Sequence, residues 1–225
     1  MSDGTAISRS VLSDQVKDRL LQAILDGRYP PGARIVETRV AREFGTSQAP
    51  VREALRDLEA IGVVETTAFR GARVRRPSAA ELLEAFGVRS ELEALGARLA
   101  ISQLTEADLD ELGRCVRDMR QAARVGDAHT EATADARFHS RIVEVTGNAT
   151  LERVWRHLEP FSRTYISLAV PGADRLRIAD LHVPVLEALR RRDPELAADA
   201  LRRHFATAAE MLDILWTAAD AQPIA

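Results

Sequence analysis

The chain has 225 residues, of which 46% are hydrophobic and 29% are charged, and this composition excludes an intrinsically disordered protein. The longest segment without a charged residue, residues 164–173, is too short to cross a bilayer, and the first residues lack the basic and apolar stretches of a secretory signal. Cys115 is the only cysteine, which excludes an internal disulfide, and we expect a cytoplasmic protein that does not enter a membrane.

The net charge of −3 is unevenly distributed along the chain. Residues 1–77 contain 13 basic and 10 acidic side chains, whereas the remaining residues contain 18 and 24. A basic N-terminal part joined to an acidic remainder is typical of a nucleic-acid-binding module attached to another domain, although a solvated surface explains so small an excess equally well. The hydrophobic pattern also changes near residue 77, which predicts a first domain over residues 1–76 and a second over residues 77–225.

Three short helices are predicted in the first domain. Ser13 can cap a helix whose apolar residues recur at helical spacing, and Gly27 ends it. A second helix is predicted over residues 37–44. Ser47 then occupies a cap position, and Pro50 falls in the first turn of a third helix, where a missing amide hydrogen costs nothing.

A β-hairpin is predicted after the third helix, because two β-prone runs, residues 63–67 and 73–75, flank a turn that contains Gly71. Three helices followed by a hairpin predict a winged helix-turn-helix, in which the third helix enters the DNA major groove. Arg52 projects from the first turns of that helix, and Arg70 lies at the tip of the wing. The alternative is a small helical bundle with arginines on its surface.

Three motifs in this domain carry a more specific signal: residues 31–35 (PGARI), 44–55 (FGTSQAPVREAL) and 70–74 (RGARV). They resemble the DNA-binding domain of GntR-family bacterial transcription regulators. The resemblance implies that the domain binds double-stranded operator DNA through the third helix and the wing. The residues that it places against DNA are Ser47, Gln48, Ala49, Arg52, Arg70 and Gly71.

Two places depart from the family pattern. Many members have Arg and Thr where this chain has Gln48 and Ala49. Glutamine prefers adenine edges whereas arginine prefers guanine, so we expect a different operator base at that position. Many members also have Arg where Thr38 stands, and we expect Arg34 or Arg39 to supply the contact that Thr38 cannot make.

The second domain is predicted to consist of helices alone, because helical periodicity runs through it and strand patterns do not. It is therefore expected to be an all-α bundle, and the whole chain a mainly α protein. The predicted helices span residues 78–100, 105–125, 130–146, 150–168, 180–191 and 194–219.

Four polar residues fall on the apolar faces of these helices and could hold a divalent metal ion. Asp135 and His139 are one turn apart on the third helix of the domain, and His182 and His204 belong to the last two helices. A buried carboxylate needs a partner, and one aspartate with three histidines can share a metal. Alternatively, each histidine is an ordinary hydrogen-bonded core residue and Asp135 bonds to His139 within the helix.

The segments 88–93 (VRSELE), 135–139 (DARFH) and 146–148 (TGN) resemble the FCD ligand-binding domain of the FadR subgroup of the GntR family. The resemblance implies a homodimer whose second domain holds a divalent metal and a small carboxylate effector. We expect zinc, with manganese and nickel chemically acceptable. The metal ligands that it implies are Asp135, His139, His182 and His204.

Two further residues are candidates for contact with the effector. Arg89 can clamp a second acidic group with two hydrogen bonds, and Asn148 is a weaker polar candidate. The alternative for Arg89 is a surface salt bridge with Glu93, one turn further along the helix.

The expected function is a DNA-binding transcription regulator, a repressor like most members that it resembles, whose operator affinity responds to a small organic acid at the metal site. A regulator that senses the metal without an organic ligand remains an alternative. A metalloenzyme is disfavoured, because the second domain offers no evident base beside the metal and an enzyme has no obvious use for the winged helix-turn-helix.

Overall fold

The computed structural model describes residues 9–25, 28–67, 71–75, 78–168 and 174–220. The chain forms two compact units, residues 1–76 and residues 77–225. None of the helices in the described ranges combines the length and the apolar character needed to cross a membrane.

The N-terminal unit consists of three helices and a small antiparallel sheet. Its elements are α1 (Arg9–Leu25), β1 (Arg34–Ile35), α2 (Glu37–Glu43), α3 (Gln48–Ala60), β2 (Val64–Thr67) and β3 (Gly71–Val74). The strand order is β1-β3-β2, so that Arg73 of β3 faces Arg34 on one side and Glu65 on the other. Helix α1 packs against α3, and the fully buried Leu20 and Leu58 belong to the core of this unit.

Two features of this unit differ from the sequence prediction. Helix α1 begins at Arg9 and not after Ser13, which is a buried residue within the helix, so the prediction that Ser13 caps α1 is wrong. No proline or glycine stands between Arg9 and Ser13 to stop the helix from extending in this direction. Strand β1 was not predicted, because two residues are too few for a pattern and its pairing with β3 comes from the tertiary fold.

The C-terminal unit is helical throughout its described residues. Its elements are α4 (Ala79–Ala100), α5 (Glu106–Val125), α6 (Ala128–Val145), α7 (Ala149–Leu168), α8 (Arg175–Asp180), α9 (His182–Arg190) and α10 (Pro194–Asp220). The predicted capping box at the start of α4 is confirmed, because the Ser78 hydroxyl accepts from the Glu81 amide (3.2 Å) and the Glu81 carboxylate accepts from the Ser78 amide (2.8 Å).

The predicted helix 180–191 corresponds to α9, and it is preceded by a short helix, α8, that was not predicted. Helix α8 begins after Asp174, whose side chain accepts from the Arg177 amide at 3.0 Å. Pro184 has no amide hydrogen to donate to the carbonyl of Asp180, which separates the two helices at Leu181. This break sets His182 at the first position of α9.

The core of the C-terminal unit lies among α4, α5, α6, α9 and α10, with α4 packed along α10 and α5 along α6. Phe138, Leu112, Leu189 and Leu201 are fully buried in it. The same interior holds several charged and polar side chains, which is unusual because burying an unpaired charge is costly. They are Arg89, Glu93, Asp135, His139, His182 and His204.

Candidate metal and ligand site

Three helices bring the four predicted metal ligands together inside the C-terminal unit. Asp135 and His139 lie one turn apart on α6, His182 begins α9, and His204 lies in α10. All four side chains are buried, with residue exposures of 7%, 1%, 0% and 7% in that order. Residues separated by up to 69 positions in the sequence thus share one small volume.

The distances between donor atoms suit a shared metal ion. The Nε2 atom of His182 lies 3.2 Å from Nε2 of His139 and 3.1 Å from Oδ1 of Asp135. Nε2 of His139 and Oδ1 of Asp135 are 3.9 Å apart. Two atoms that bind one ion at about 2.1 Å can be no more than about 4.2 Å apart. The three distances above lie within this limit. One nitrogen from each of His139, His182 and His204 lies within 4.8 Å of the others, so the third histidine lies at the same place.

Two of the four groups, His204 and Asp135, have pKa shifts that favour the forms that bind metal. Burial and the neighbouring His182 and His139 hold the pKa of His204 well below its usual value, so this imidazole is neutral. Burial opposes ionisation of Asp135, but its interactions with His182 and His139 lower its pKa overall. Neutral imidazoles and an ionised carboxylate are the ligand forms that a divalent cation requires.

A cavity of about 30 Å³ lies beside the four side chains, and Arg89, Phe86 and Phe205 also line it. This volume holds about one or two groups the size of water. His204 Nδ1 has no hydrogen-bond partner among the described residues, and the Arg89 Nη2 atom makes no hydrogen bond there beyond its ion pair with Glu93. Unsatisfied buried atoms are costly, and their presence at a cavity is typical of a site that binds an ion or a polar ligand.

Arg89 and Glu93 form a buried pair at this cavity rather than a salt bridge on the surface. The side chains of Arg89 and Glu93 are 2% and 0% exposed. The Nε atom of Arg89 donates to Glu93 Oε1 at 3.0 Å, and Nη2 lies 2.8 Å from the same oxygen. The guanidinium also lies 4.9 Å from the centre of the Phe205 ring. Arg89 therefore lines the cavity with a desolvated guanidinium whose charge is paired with that of Glu93.

Glu93 is a site residue that the sequence prediction missed in this role. Its Oε2 atom bonds to His139 Nδ1, and its Oε1 atom accepts from Trp155 Nε1 at 2.7 Å. Burial opposes its charge, but His139 and Arg89 lower its pKa overall. The spacing of Glu93 from Arg89 was visible in the sequence, whereas its contact with His139, 46 positions away, was not.

Glu131 is a second buried acid beside the proposed metal ligands that the sequence analysis did not single out. It lies on α6 one turn before Asp135, is 5% exposed, and has Oε2 at 3.4 Å from Arg175 Nε. Burial raises the pKa of Glu131 to about 7, and the Arg175 charge only partly offsets this effect.

Asn148 is not brought to the cavity. It is exposed just before α7, and its Oδ1 accepts from the amides of Thr150 (3.2 Å) and Leu151 (3.1 Å). The structure therefore gives Asn148 a capping role, which its position immediately before a helix could have indicated.

The predicted DNA contacts in the described part of the N-terminal unit are accessible. Gln48, Ala49 and Arg52 lie in α3, and Arg52 is 3.5 Å from Glu37 of α2. Ala49 is half-buried and the others are exposed, whereas Arg70 lies outside the described residues. The exposed members of the predicted set are Arg34, Thr38, Arg39, Ser47, Gln48, Arg52 and Gly71.

Two family models match the chain along most of its length. Residues 12–74 match the model of bacterial regulatory proteins of the gntR family, and residues 84–207 match the FCD domain. The chain belongs to the GntR family. This assignment confirms the family resemblance and the fold, a winged helix-turn-helix followed by a helical FCD domain. The GntR assignment also implies DNA binding.

Relatives of this GntR-family chain are transcription regulators and not enzymes. It is 36% identical over 200 residues to the "Probable D-xylose utilization operon transcriptional repressor" of Paenarthrobacter nicotinovorans, covering 89% of this chain and 88% of that one. It is 24% identical to the gluconate operon transcriptional repressor of Bacillus subtilis, covering 93% and 88%. The solved structure of McbR/YncC from E. coli superposes with a TM-score of 0.76 at 26% identity, covering 91% of this chain and 98% of that one.

Proposed function

We propose that this GntR-family regulator binds operator DNA with an affinity set by a small organic acid, which is anchored on a divalent metal in the FCD domain. The observation that carries the proposal is the convergence of Asp135, His139, His182 and His204 on one buried cavity. This donor set is chemically suited to zinc, and manganese or nickel would also be accepted.

The metal would supply a positive centre that binds the carboxylate of the acid. Arg89 would bind a second acidic group of the same molecule, because its buried guanidinium lines the cavity beside the metal ligands. The cavity of about 30 Å³ favours an acid of few atoms. A larger acid would require Phe86 or Phe205, which line the cavity, to move.

Ser47, Gln48 and Arg52 would read the operator from the start of α3, and Gly71 would place the wing against the DNA. The positive φ of Gly71 (81°) is strained for any residue with a Cβ atom, so the wing needs glycine here. A homodimer would present two such helices to a palindromic operator. The repressors among the relatives support a repressor role for this chain.

A metal sensor without an organic ligand is the second candidate, and the small volume of the cavity favours it. In that case the metal alone would change operator affinity. The acid would then have no effect, since a ligand shifts an equilibrium only if it binds the two states with different affinities.

Operator titrations of the full-length protein separate the two candidates. Operator DNA is first selected from a random pool, and its Kd is measured by fluorescence anisotropy for the metal-free chain, with Zn²⁺, and with Zn²⁺ plus formate, acetate, malonate or succinate. We expect Zn²⁺ plus one of the acids to change the Kd by at least about fivefold. A change with Zn²⁺ alone supports the sensor, and no change under any condition contradicts both.

A further inference from the structure

The carboxylate of Glu93 connects the two halves of the proposed site. Its Oε2 atom contacts Nδ1 of His139, a proposed metal ligand. Its Oε1 atom accepts from Nε of Arg89 (3.0 Å) and from Nε1 of Trp155 (2.7 Å). Glu93 is completely buried, so these contacts are not exchanged with water.

The contact with Glu93 determines which nitrogen of His139 faces the other metal ligands. An ionised carboxylate can only accept hydrogen bonds, so Nδ1 of His139 carries the hydrogen. The Nε2 atom of His139 then faces Asp135 and His182, and it lies 3.2 Å from Nε2 of His182. His182 is oriented in a similar way by a different group, because its Nδ1 lies 3.2 Å from the backbone carbonyl oxygen of Ala179.

Glu93 is itself held in place by its remaining partners. Arg89 neutralises its charge, and the Trp155 indole supplies a directed hydrogen bond to the same oxygen. A buried carboxylate with three donors is restricted to one orientation and does not require water. Glu93 can therefore transmit the position of Arg89 to His139.

We propose that Glu93 is a positioning residue that orients His139 toward the metal and ties the acid-binding Arg89 to that ligand. The inference rests on the proposed metal site. A carboxylate behind a metal-binding histidine fixes the ring and increases its basicity, and removal of such a partner weakens metal binding about 10–100-fold.

The test is a Zn²⁺ titration of the metal-free full-length chain, read out by competition with a chromogenic chelator. Glu93→Gln keeps the size of the side chain but removes its charge, and we expect the Zn²⁺ Kd to rise about 10–100-fold. Glu91→Gln is the matched control, since Glu91 lies on the same helix, is exposed, and pairs with Arg202 at 2.9 Å. We expect its Kd to equal that of the wild-type chain.

A spectroscopic measurement on the wild-type chain keeps the inference testable even if Glu93→Gln does not fold. Long-range ¹H–¹⁵N spectra of the imidazoles should show His139 with hydrogen on Nδ1, and Zn²⁺ should shift the resonance of Nε2. Where Glu93→Gln does fold, His139 should populate both tautomers before metal is added. A merely structural role for Glu93 would not change the tautomer.

The outcomes distinguish failure of this inference from failure of the proposed function. If the wild-type chain binds Zn²⁺ and Glu93→Gln binds it equally well, the positioning role is overturned and the metal site stands. Hydrogen on Nε2 of His139 in the wild-type chain also overturns it. If the wild-type chain does not bind Zn²⁺, both proposals are overturned.

Discussion

The pKa values of the buried acids Asp135, Glu93 and Glu131 are shifted in different directions because these acids have different neighbours. Asp135 lies 3.1 Å from His182, and Glu93 contacts His139 and Arg89, so the pKa of each carboxyl is lowered in spite of burial. Burial raises the pKa of Glu131, Arg175 at 3.4 Å offsets only part of this effect, and the nearby Asp135 adds to it.

Glu131 should make the stability of the metal-free chain depend on pH. Its pKa rises from 4.5 to about 7 on folding, so the folded state holds the proton more tightly than the unfolded state. The stabilisation from this proton is complete below pH 4.5 and is lost as the pH rises to about 7. The loss is about 1–3 kcal/mol, since one pKa unit corresponds to about 1.4 kcal/mol.

Glu131→Gln removes this titration. In urea denaturation, the free energy of unfolding of Glu131→Gln, relative to that of the wild-type chain, should therefore be higher at pH 8 than at pH 5. Glu84→Gln, at an exposed position of α4, is the control and should follow the wild-type chain at both pH values. Parallel behaviour of Glu131→Gln and the wild-type chain would show that the Glu131 carboxyl is solvated in the folded state.

Arg52 should contribute directly to operator affinity. It is exposed in the first turns of α3, which in winged helix-turn-helix proteins lie in the major groove. Arg52→Ala should weaken binding to selected operator DNA by about 1–3 kcal/mol. Arg203→Ala, at an exposed position of α10, is the control and should not change the Kd measured by gel shift. Equal affinities of all three proteins would remove Arg52 from the interface.

At the scale of helices and strands, the sequence predicted the helix ends that are set by residues close together in the chain. The capping box of Ser78 and Glu81 and the start of α10 at Pro194 appear as expected, with Asp193 Oδ1 accepting from the amides that follow it. Strand β1 could not be predicted, because it exists only through its pairing with β3. The start of α8 was missed although Asp174 caps it.

The α5 capping box offers a test of how much one helix end contributes to stability. The Thr105 hydroxyl accepts from the Asp108 amide at 3.2 Å, and Asp108 also pairs with Arg141 of α6. Burial opposes the charge of Asp108, but Thr105 and Arg141 lower its pKa to about 2. Thr105→Ala should lower the free energy of unfolding by about 1 kcal/mol in urea denaturation. Gln121→Ala, at an exposed position within α5, should have almost no effect; equal losses would exclude a capping contribution.

The candidate site was predictable in part, for a physical reason. Asp135 and His139 lie on one face of a helix, and His182 and His204 lie on apolar faces, so their inward direction follows from periodicity. The convergence of the three histidines at donor distances depends on how the helices pack, and periodicity does not contain that information. Family resemblance supplied the four-ligand set, and it gave no indication of the Glu93 contact with His139.

At the scale of the whole molecule, the proposed function requires the metal site of the C-terminal unit to influence DNA binding by the N-terminal unit. Regulation of this kind needs two arrangements of the chain that differ in affinity for both the effector and the operator. By reciprocity, operator DNA must change the affinity for the acid by the same factor.

The central claim is that operator affinity is governed through the four buried metal ligands. Its most direct test is the operator Kd of the wild-type chain, His139→Ala and the exposed His157→Ala, each measured without ligand and with Zn²⁺ plus the acid that emerges from the titrations above. We predict that Zn²⁺ plus the acid changes the operator Kd of the wild-type chain and of His157→Ala by at least about fivefold. The operator Kd of His139→Ala should not change. An undiminished response in His139→Ala would contradict the account.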